Sequence, residues 1–452
     1  MNRRIVGLET EYGCLIEPPL TNDEVVAQVR NWVFTEGGYG LLDVHDRGWD
    51  EPAGNGGFLF NGGRLYLDMG HVEYCTPECL DVTDVLRYDQ AGDMILLRAV
   101  EALGWEGRVS FIRNNIDHYT GATFGCHENY SLRRDAELDD AGIASLLAFL
   151  TLRTLLTGSG RVGSLPALKP PFEDAPFLPD SLFQISQRAD YIRNDFYEWV
   201  QFNRAIVNTR DEPLADPRSF RRLHLLHGDS SVLPATLFLK IASTRLVLDL
   251  MEAGELPRVE LREAVGTLRA LSRITTGPWP VTLADGQQQE ALALLRLYHE
   301  KAAKHFRQRA PETEAALALW SRMMQALESD KPGAFGLLDW VTKETLLNAF
   351  CTQENIPWDD PWLKSQDLEF HHIHPQRSLA HPLADRQGCW HVTGVEKATL
   401  TPPSNTRAHL RSKMMRELCG QKNHVVDWYK VGTRGQKPTL LLDPFQTEPG
   451  QA

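Results

Sequence analysis

The sequence has no excess of positive charge and no long apolar run. Its 60 aspartates and glutamates outnumber 47 lysines and arginines, which gives a formal net charge of −13. A chain without a basic tract is a poor partner for nucleic acid or an anionic membrane surface. No apolar run reaches the roughly 18 residues of a membrane-spanning helix, and residues 1–6 lead into a strand-like segment without a signal-peptide core. We therefore expect a cytoplasmic protein.

Cysteine is also scarce. The seven cysteines are odd in number and scattered, which argues against the disulfide framework of a small secreted domain. Cys75 and Cys79 have no second pair nearby, so their spacing favours reduced thiols over a zinc site. The glycine-rich residues 157–163 lack the Gly-Lys-Ser/Thr of a P-loop, which excludes that phosphate-binding motif.

The most informative stretch runs from residue 58 to residue 76. An Asn-Gly-Gly turn separates two apolar, β-prone runs, which predicts a hairpin. Because side chains alternate along a strand, Arg64, Tyr66 and Asp68 share one face, and Glu73 follows closely. Such a row is suited to holding a charged ligand, although a solvated strand face would look the same.

Two other predicted strands carry polar pairs. Glu9 and Glu11 fall on one face of a strand near the start of the chain, where two carboxylates repel unless water or a cation joins them. His127 and Asn129 share a face of a later strand. A lone strand histidine is usually structural, but a His-x-Asn pair facing a carboxylate-lined site would be functional.

Helical spacing dominates several segments, notably residues 82–102, 139–156 and most of 236–346. Residues 36–57 lack periodicity and are predicted to form a loop of the kind that covers a site. The histidine-rich residues 371–374 are predicted to be a solvated loop rather than a metal site.

Four arginines recur beside polar turn residues, at positions 188, 210, 221 and 222. Guanidinium groups bind phosphate oxygens through paired hydrogen bonds, so the four could converge on phosphate. Separate surface salt bridges are the alternative.

Several motifs, in one order along nearly the whole chain, resemble the family of Pup ligases and Pup deamidases/depupylases. They comprise residues 7–13, 64–68, 73–79, 127–129, 208–213, 338–340, 402–407 and 427–428. The resemblance implies an α+β fold similar to glutamine synthetase, in which a curved antiparallel sheet forms an active-site cradle backed by helices. It also implies a large catalytic domain over residues 1–385 and a small C-terminal domain over residues 386–452.

The resemblance further implies the site residues and the ligands, ATP and Mg²⁺. By motif match, Asp68 is the catalytic aspartate. The residues implied to hold magnesium are Glu9, Tyr66 and Glu73. The residues implied to contact ATP are Arg64, Thr76 and Trp428, with Asn129, Arg210 and Arg222 as further phosphate contacts.

The implied function is ATP-dependent phosphoryl-transfer chemistry at the C-terminal Gln or Glu of a Pup-like modifier, with that modifier and its protein conjugates as partners. The interval from Asp68 to Glu73 and residues 157–163 favour the deamidase/depupylase over the ligase. Residues 231–236 depart from the family pattern, so an ATP-dependent phosphotransferase acting on a small molecule is an alternative. A noncatalytic binding protein is a third, but keeping repelling carboxylates together argues against it.

Overall fold

A computed structural model describes residues 3–47, 51–163, 182–198, 204–329, 331–384 and 392–448. The strands in the described residues are β1 (Val6–Ile16), β2 (Gly40–Leu42), β3 (Gly56–Leu59), β4 (Arg64–Asp68), β5 (His71–Cys75), β6 (Val109–Ile112), β7 (Cys126–Arg133), β8 (Arg161–Val162), β9 (Phe183–Gln184), β10 (Asn194–Tyr197), β11 (Ala205–Asn208), β12 (Phe220–Leu225), β13 (Pro280–Thr282), β14 (Gln288–Glu290), β15 (His424–Asp427), β16 (Lys430–Thr433) and β17 (Thr439–Leu440).

The helices in the same residues are α1 (Asn22–Phe34), α2 (Val82–Ala102), α3 (Asp140–Leu152), α4 (Thr154–Thr157), α5 (Pro234–Glu252), α6 (Ala264–Ser272), α7 (Ala291–Phe306), α8 (Pro311–Glu328), α9 (Asp339–Glu354), α10 (Pro361–Phe370), α11 (His381–Ala384), α12 (Val395–Ala398) and α13 (Arg407–Glu417). Among the described residues, no helix is both long and apolar enough to cross a membrane.

One large sheet organises the molecule. Its strand order is β10-β11-β12-β7-β1-β5-β4-β3-β2, and β6 pairs with β1 beside this path. All pairings in it are antiparallel except that of β10 with β11. The predicted α+β class with a large antiparallel sheet is therefore confirmed.

The two faces of the sheet differ, and β1 shows why. Leu8 and Tyr12 are buried in the core, whereas Glu9 and Glu11 are half-buried on the opposite face. The buried faces of β1 and β7 join one apolar core with α2, α3, α5 and α7–α9. Helices therefore cover one face, and the polar face of the central strands is left to form a site.

The C-terminal segment packs against the hairpin of β3 and β4. Phe58 and Phe60 share an apolar cluster with side chains of α13, β15 and β16. The buried carboxylate of Glu78 receives hydrogen bonds from Arg407 Nε (2.7 Å) and Arg411 Nη2 (2.6 Å), both on α13. The predicted domain boundary near residue 385 lies outside the described residues.

Several predicted elements are confirmed. The hairpin turns at residues 61–63, with Phe58 opposite Arg64, and Gly62 adopts φ +87°, which suits a residue without a Cβ. The helix predicted over residues 82–102 matches α2, and α8 lies within the predicted helical stretch 236–346. The helix predicted over residues 139–156 is instead interrupted at Arg153, whose side chain forms a buried ion pair with Glu128 (2.5 Å).

Two loop predictions need correction. The prediction that residues 371–374 are solvated is wrong for His371 and His372, which are buried. Lys343 Nζ and Gln187 Nε2 lie 2.6 and 2.8 Å from His371 Nε2, so a polar network replaces water there. Residues 36–57, predicted to lack strands, contain β2 and the start of β3; positions 48–50 lie outside the described residues.

Candidate active site

The candidate site lies on the polar face of β7, β1, β5 and β4. Strand register brings its acidic side chains together: Glu11 is opposite Glu73, and Glu73 is opposite Tyr66. On the other side of β1, Glu9 is opposite His127. Since side chains directly opposite on one face are neighbours, four strands deliver their polar groups to one place.

A carboxylate cluster occupies the centre of this face. Oxygen atoms of Glu11, Asp68 and Glu73 all lie within 4.8 Å of one another. Tyr66 donates a hydrogen bond of 2.5 Å to Glu73. Burial and the negative charges of Glu9, Glu11 and Asp68 raise the pKa of Glu73 well above its usual value. The cluster therefore concentrates negative charge, as a divalent-cation site does.

A second cluster adjoins the first. A carboxylate oxygen of Glu9 and one nitrogen each of His127 and His224 also lie within 4.8 Å of one another. Asn129 donates a hydrogen bond of 2.8 Å to Glu9, which orients that carboxylate. Burial lowers the pKa of His224 to about 4, so its imidazole is neutral at pH 7 and has a lone pair available for a metal.

Arg64 is held at the edge of the carboxylate cluster. Its guanidinium lies over the ring of Tyr66, 4.2 Å from the centroid, and forms an ion pair of 2.6 Å with Glu51. Arg47 bridges onward, since it binds Glu51 (3.1 Å) and Asp427 (2.6 Å). Arg47 and Glu51, both in the loop that precedes β3, thus form ion pairs with the C-terminal segment and with Arg64, respectively.

Asp68 is half-buried at the end of β4, in the turn to β5. The next residue, Met69, has φ 43° and an exposed side chain, and Gly70 has φ 89°. His71, opposite Asp68, packs edge-on against Phe124 with centroids 4.5 Å apart. A left-handed turn and a ring contact therefore fix the backbone beside Asp68.

The other residues implied to contact ATP lie in different surroundings. Thr76 is buried, and its hydroxyl accepts a hydrogen bond of 3.0 Å from the backbone N–H of Leu8. Trp428 is half-buried between Phe58, at 5.1 Å, and the guanidinium of Arg411, at 5.0 Å. It therefore presents an aromatic surface next to the strand pair that carries Arg64.

Arg222 and Arg210, the other two arginines implied to contact phosphate, lie in different places. Arg222 on β12 reaches the second cluster, with Nη2 3.4 Å from His224 Nδ1. Arg210 lies beyond the end of β11, and its exposed side chain pairs with Glu212 at 2.6 Å. Arg222 is thus brought to the site, whereas Arg210 is not in contact with either cluster in the described structure.

The set of residues implied to hold magnesium did not include Glu11, His127 or His224, all of which belong to the two clusters. The signal for Glu11 was present, because it alternates with Glu9, and His127 alternates with Asn129. His224 gave no local signal. It joins the site only because β12 pairs with β7, which places His224 opposite Asn129.

The chain resembles known proteins of one family. A family model described as Pup-ligase protein matches residues 4–432. The Pup–protein ligase of Xylanimonas cellulosilytica is 35% identical over 99% of this chain and 97% of its own, and that of Kribbella flavida is 36% identical over the same shares. These relatives are named ligases, so they do not support the preference for a deamidase/depupylase.

Two solved structures are also similar. A Pup ligase PafA in complex with Pup matches with a TM-score of 0.83 and 33% identity, covering 99% of this chain and 89% of the other. A PafA in complex with ADP matches with a TM-score of 0.77 and 33% identity, covering 97% and 93%. The chain belongs to the Pup ligase family and is an enzyme.

Proposed function

We propose that this protein is an ATP- and Mg²⁺-dependent ligase that joins the terminal side-chain carboxylate of a Pup-like modifier to a lysine amine of a target protein. The observation that carries the proposal is the cluster of Glu11, Asp68 and Glu73, with Arg64 at its edge. The relatives favour the ligase over the deamidase/depupylase, because they are named Pup–protein ligases.

The cluster fits magnesium. Mg²⁺ prefers hard oxygen ligands, and the three carboxylates offer them within reach of one ion; burial and the charges of the neighbouring carboxylates raise the pKa of Glu73. We propose Glu11 and Glu73, supported by Tyr66, as holders of one ion, and Glu9, with the nearby imidazoles, as holder of a second. A bound ion supplies charge neutralisation for phosphate oxygens.

ATP would lie along β4 and the C-terminal segment. Trp428 provides a ring face for the base, and Arg64 a guanidinium for phosphate oxygens. Thr76, Asn129 and Arg222 are proposed as further contacts; Arg210 would need to move to take part. The ADP complex of a similar PafA supports nucleotide binding by this fold.

The chemistry follows in two steps. An oxygen of the modifier carboxylate attacks the γ-phosphorus of ATP, and ADP leaves, so the carboxylate becomes an acyl phosphate. The lysine nitrogen then attacks the acyl carbon and phosphate leaves, which forms the isopeptide bond. Asp68, at the edge of the cluster, is proposed to accept the proton that the amine loses.

The test is an incubation of the protein with ATP, Mg²⁺, a Pup ending in Glu and a lysine-bearing target. We expect a conjugate that carries one modifier mass less one water, with one ADP formed per bond. Removal of ammonia from a Pup ending in Gln, without conjugation, would instead assign the chain to the deamidase branch. Phosphate release with no change in modifier mass would indicate the small-molecule phosphotransferase.

A further inference from the structure

Arg188 differs from every other buried arginine in the described part of the chain. The buried arginines there are Arg4, Arg64, Arg113, Arg153, Arg161, Arg188, Arg245, Arg407 and Arg411. All except Arg188 have a carboxylate at ion-pair distance within the described residues. A buried cation with no carboxylate in direct contact is costly, so its retention points to an anion that arrives from outside.

The position of Arg188 shows where such an anion would sit. Its guanidinium donates to the carbonyl oxygen of Phe124, while the next N–H, that of Gly125, donates to Glu11 Oε2 at 2.7 Å. One peptide unit therefore separates Arg188 from the carboxylate cluster. Burial and the positive charge of Arg204 lower the pKa of Arg188 to about 10, against the opposing charges of Glu11 and Asp229, so a second cation acts on the same guanidinium.

The backbone of Arg188 is fixed independently of any ligand. Its N–H donates to Ser186 Oγ and to Asp229 Oδ1, each at 3.1 Å. Asp229 is buried and also accepts from the N–H groups of Ser159 (2.9 Å) and Gln187 (3.0 Å). A guanidinium on such a rigid platform is pre-organised, so binding requires little rearrangement.

The sheet order indicates which substrate the anion belongs to. Arg64 and Trp428 lie with β3 and β4 on one side of the cluster, whereas Arg204 directly precedes β11, near the opposite edge. The nucleotide is proposed to occupy the first side. The second side is then left for the substrate whose carboxylate is activated.

We infer that Arg188, assisted by Arg204, forms an anion subsite for a carboxylate oxygen of the terminal residue of the modifier. The inference rests on the proposed function for the identity of this substrate. The subsite itself is defined by its chemistry, which is a buried guanidinium on a fixed backbone with a second positive charge nearby.

The first test compares Arg188→Gln with Arg188→Lys, and uses Arg193→Gln as a matched control because Arg193 is exposed in the same segment. Loss of a charge-assisted hydrogen bond should raise the KM for the modifier in Arg188→Gln by about tenfold or more. The lysine variant should recover part of this, and the KM for ATP should stay within about twofold of wild type. An unchanged KM for the modifier overturns the inference, as does an equal rise in the KM for ATP.

The second test needs no turnover and uses inorganic phosphate as the probe. In buffers matched for ionic strength with chloride, phosphate should raise the unfolding midpoint of wild type and of Arg193→Gln, but not of Arg188→Gln. An equal rise in Arg188→Gln, or none in wild type, overturns the subsite. If wild type forms no conjugate yet shows the Arg188-dependent rise, the proposed function fails and the subsite stands.

Discussion

Glu11 and Glu73 lie directly opposite each other on the antiparallel strands β1 and β5. Like charges at such positions destabilise a sheet, and burial of Glu73 strengthens the effect. The sheet is therefore under electrostatic repulsion that a cation would relieve.

From this pair we predict that Mg²⁺ stabilises the protein through the cluster. Mg²⁺ should raise the thermal unfolding midpoint of wild type, and Glu73→Gln or Glu11→Gln should reduce that rise by more than half. Both variants should also weaken Mg²⁺-dependent ADP binding, as should Glu9→Ala. Calorimetry with a Mg²⁺ titration measures both effects, with Glu17→Gln, exposed just after β1, as control. A rise that is the same in all variants would contradict the metal assignment.

Asp68→Asn is expected to keep nucleotide binding and to lose conjugation by about a hundredfold or more, because an amide cannot accept the amine proton. The rate of conjugate formation and the affinity for ADP are measured side by side. Wild-type turnover in this variant would remove Asp68 from the proton-transfer step.

Glu51 and a nucleotide phosphate are predicted to compete for Arg64. Because the side chain of Glu51 is 29% exposed, its ion pair is screened by water. Glu51→Gln should thus lower the KM for ATP by about two- to fivefold, while Arg64→Gln should raise it. Glu36→Gln, an exposed change in the same connection, is the control. A higher KM for ATP in Glu51→Gln would show that Glu51 supports binding instead.

Glu78 should make stability depend on acid pH. Burial alone would raise its pKa, but Arg411 and Arg407 outweigh this and hold the pKa of Glu78 at about 2. Because the unfolded value is about 4.3, this carboxylate stabilises the fold above about pH 4.3, and the contribution is lost as pH falls towards 2.

The lowered pKa of Glu78 contributes about 3 kcal/mol to the free energy of unfolding at pH 7. Glu78→Gln should therefore lower the free energy of unfolding by about that amount at pH 7, and flatten its pH dependence between about 4.3 and 2. Chemical denaturation at several pH values measures this, with Glu417→Gln, exposed on α13, as control. An identical acid transition in Glu78→Gln would contradict the linkage.

The sequence allowed one part of the site to be predicted from local pattern. The two-residue period of a strand placed Glu9 with Glu11, and Tyr66 with Asp68, on shared faces. Which strands become neighbours is a long-range property that no local pattern contains. His224 was missed for that reason, and His371 was misassigned because its buried partner Lys343 lies elsewhere in the chain.

The central place of β1 has a consequence for how the protein is made. The ribosome releases β1 before β7, and the hydrogen bond between His127 and the carboxylate of Glu9 spans 118 residues. In a nascent chain the edge of β1 that faces β7 therefore stays unpaired until β7 has emerged, and such non-local pairing is slow and prone to aggregation. Synthesis of this enzyme should for that reason depend on chaperones more than synthesis of a helical protein of equal length.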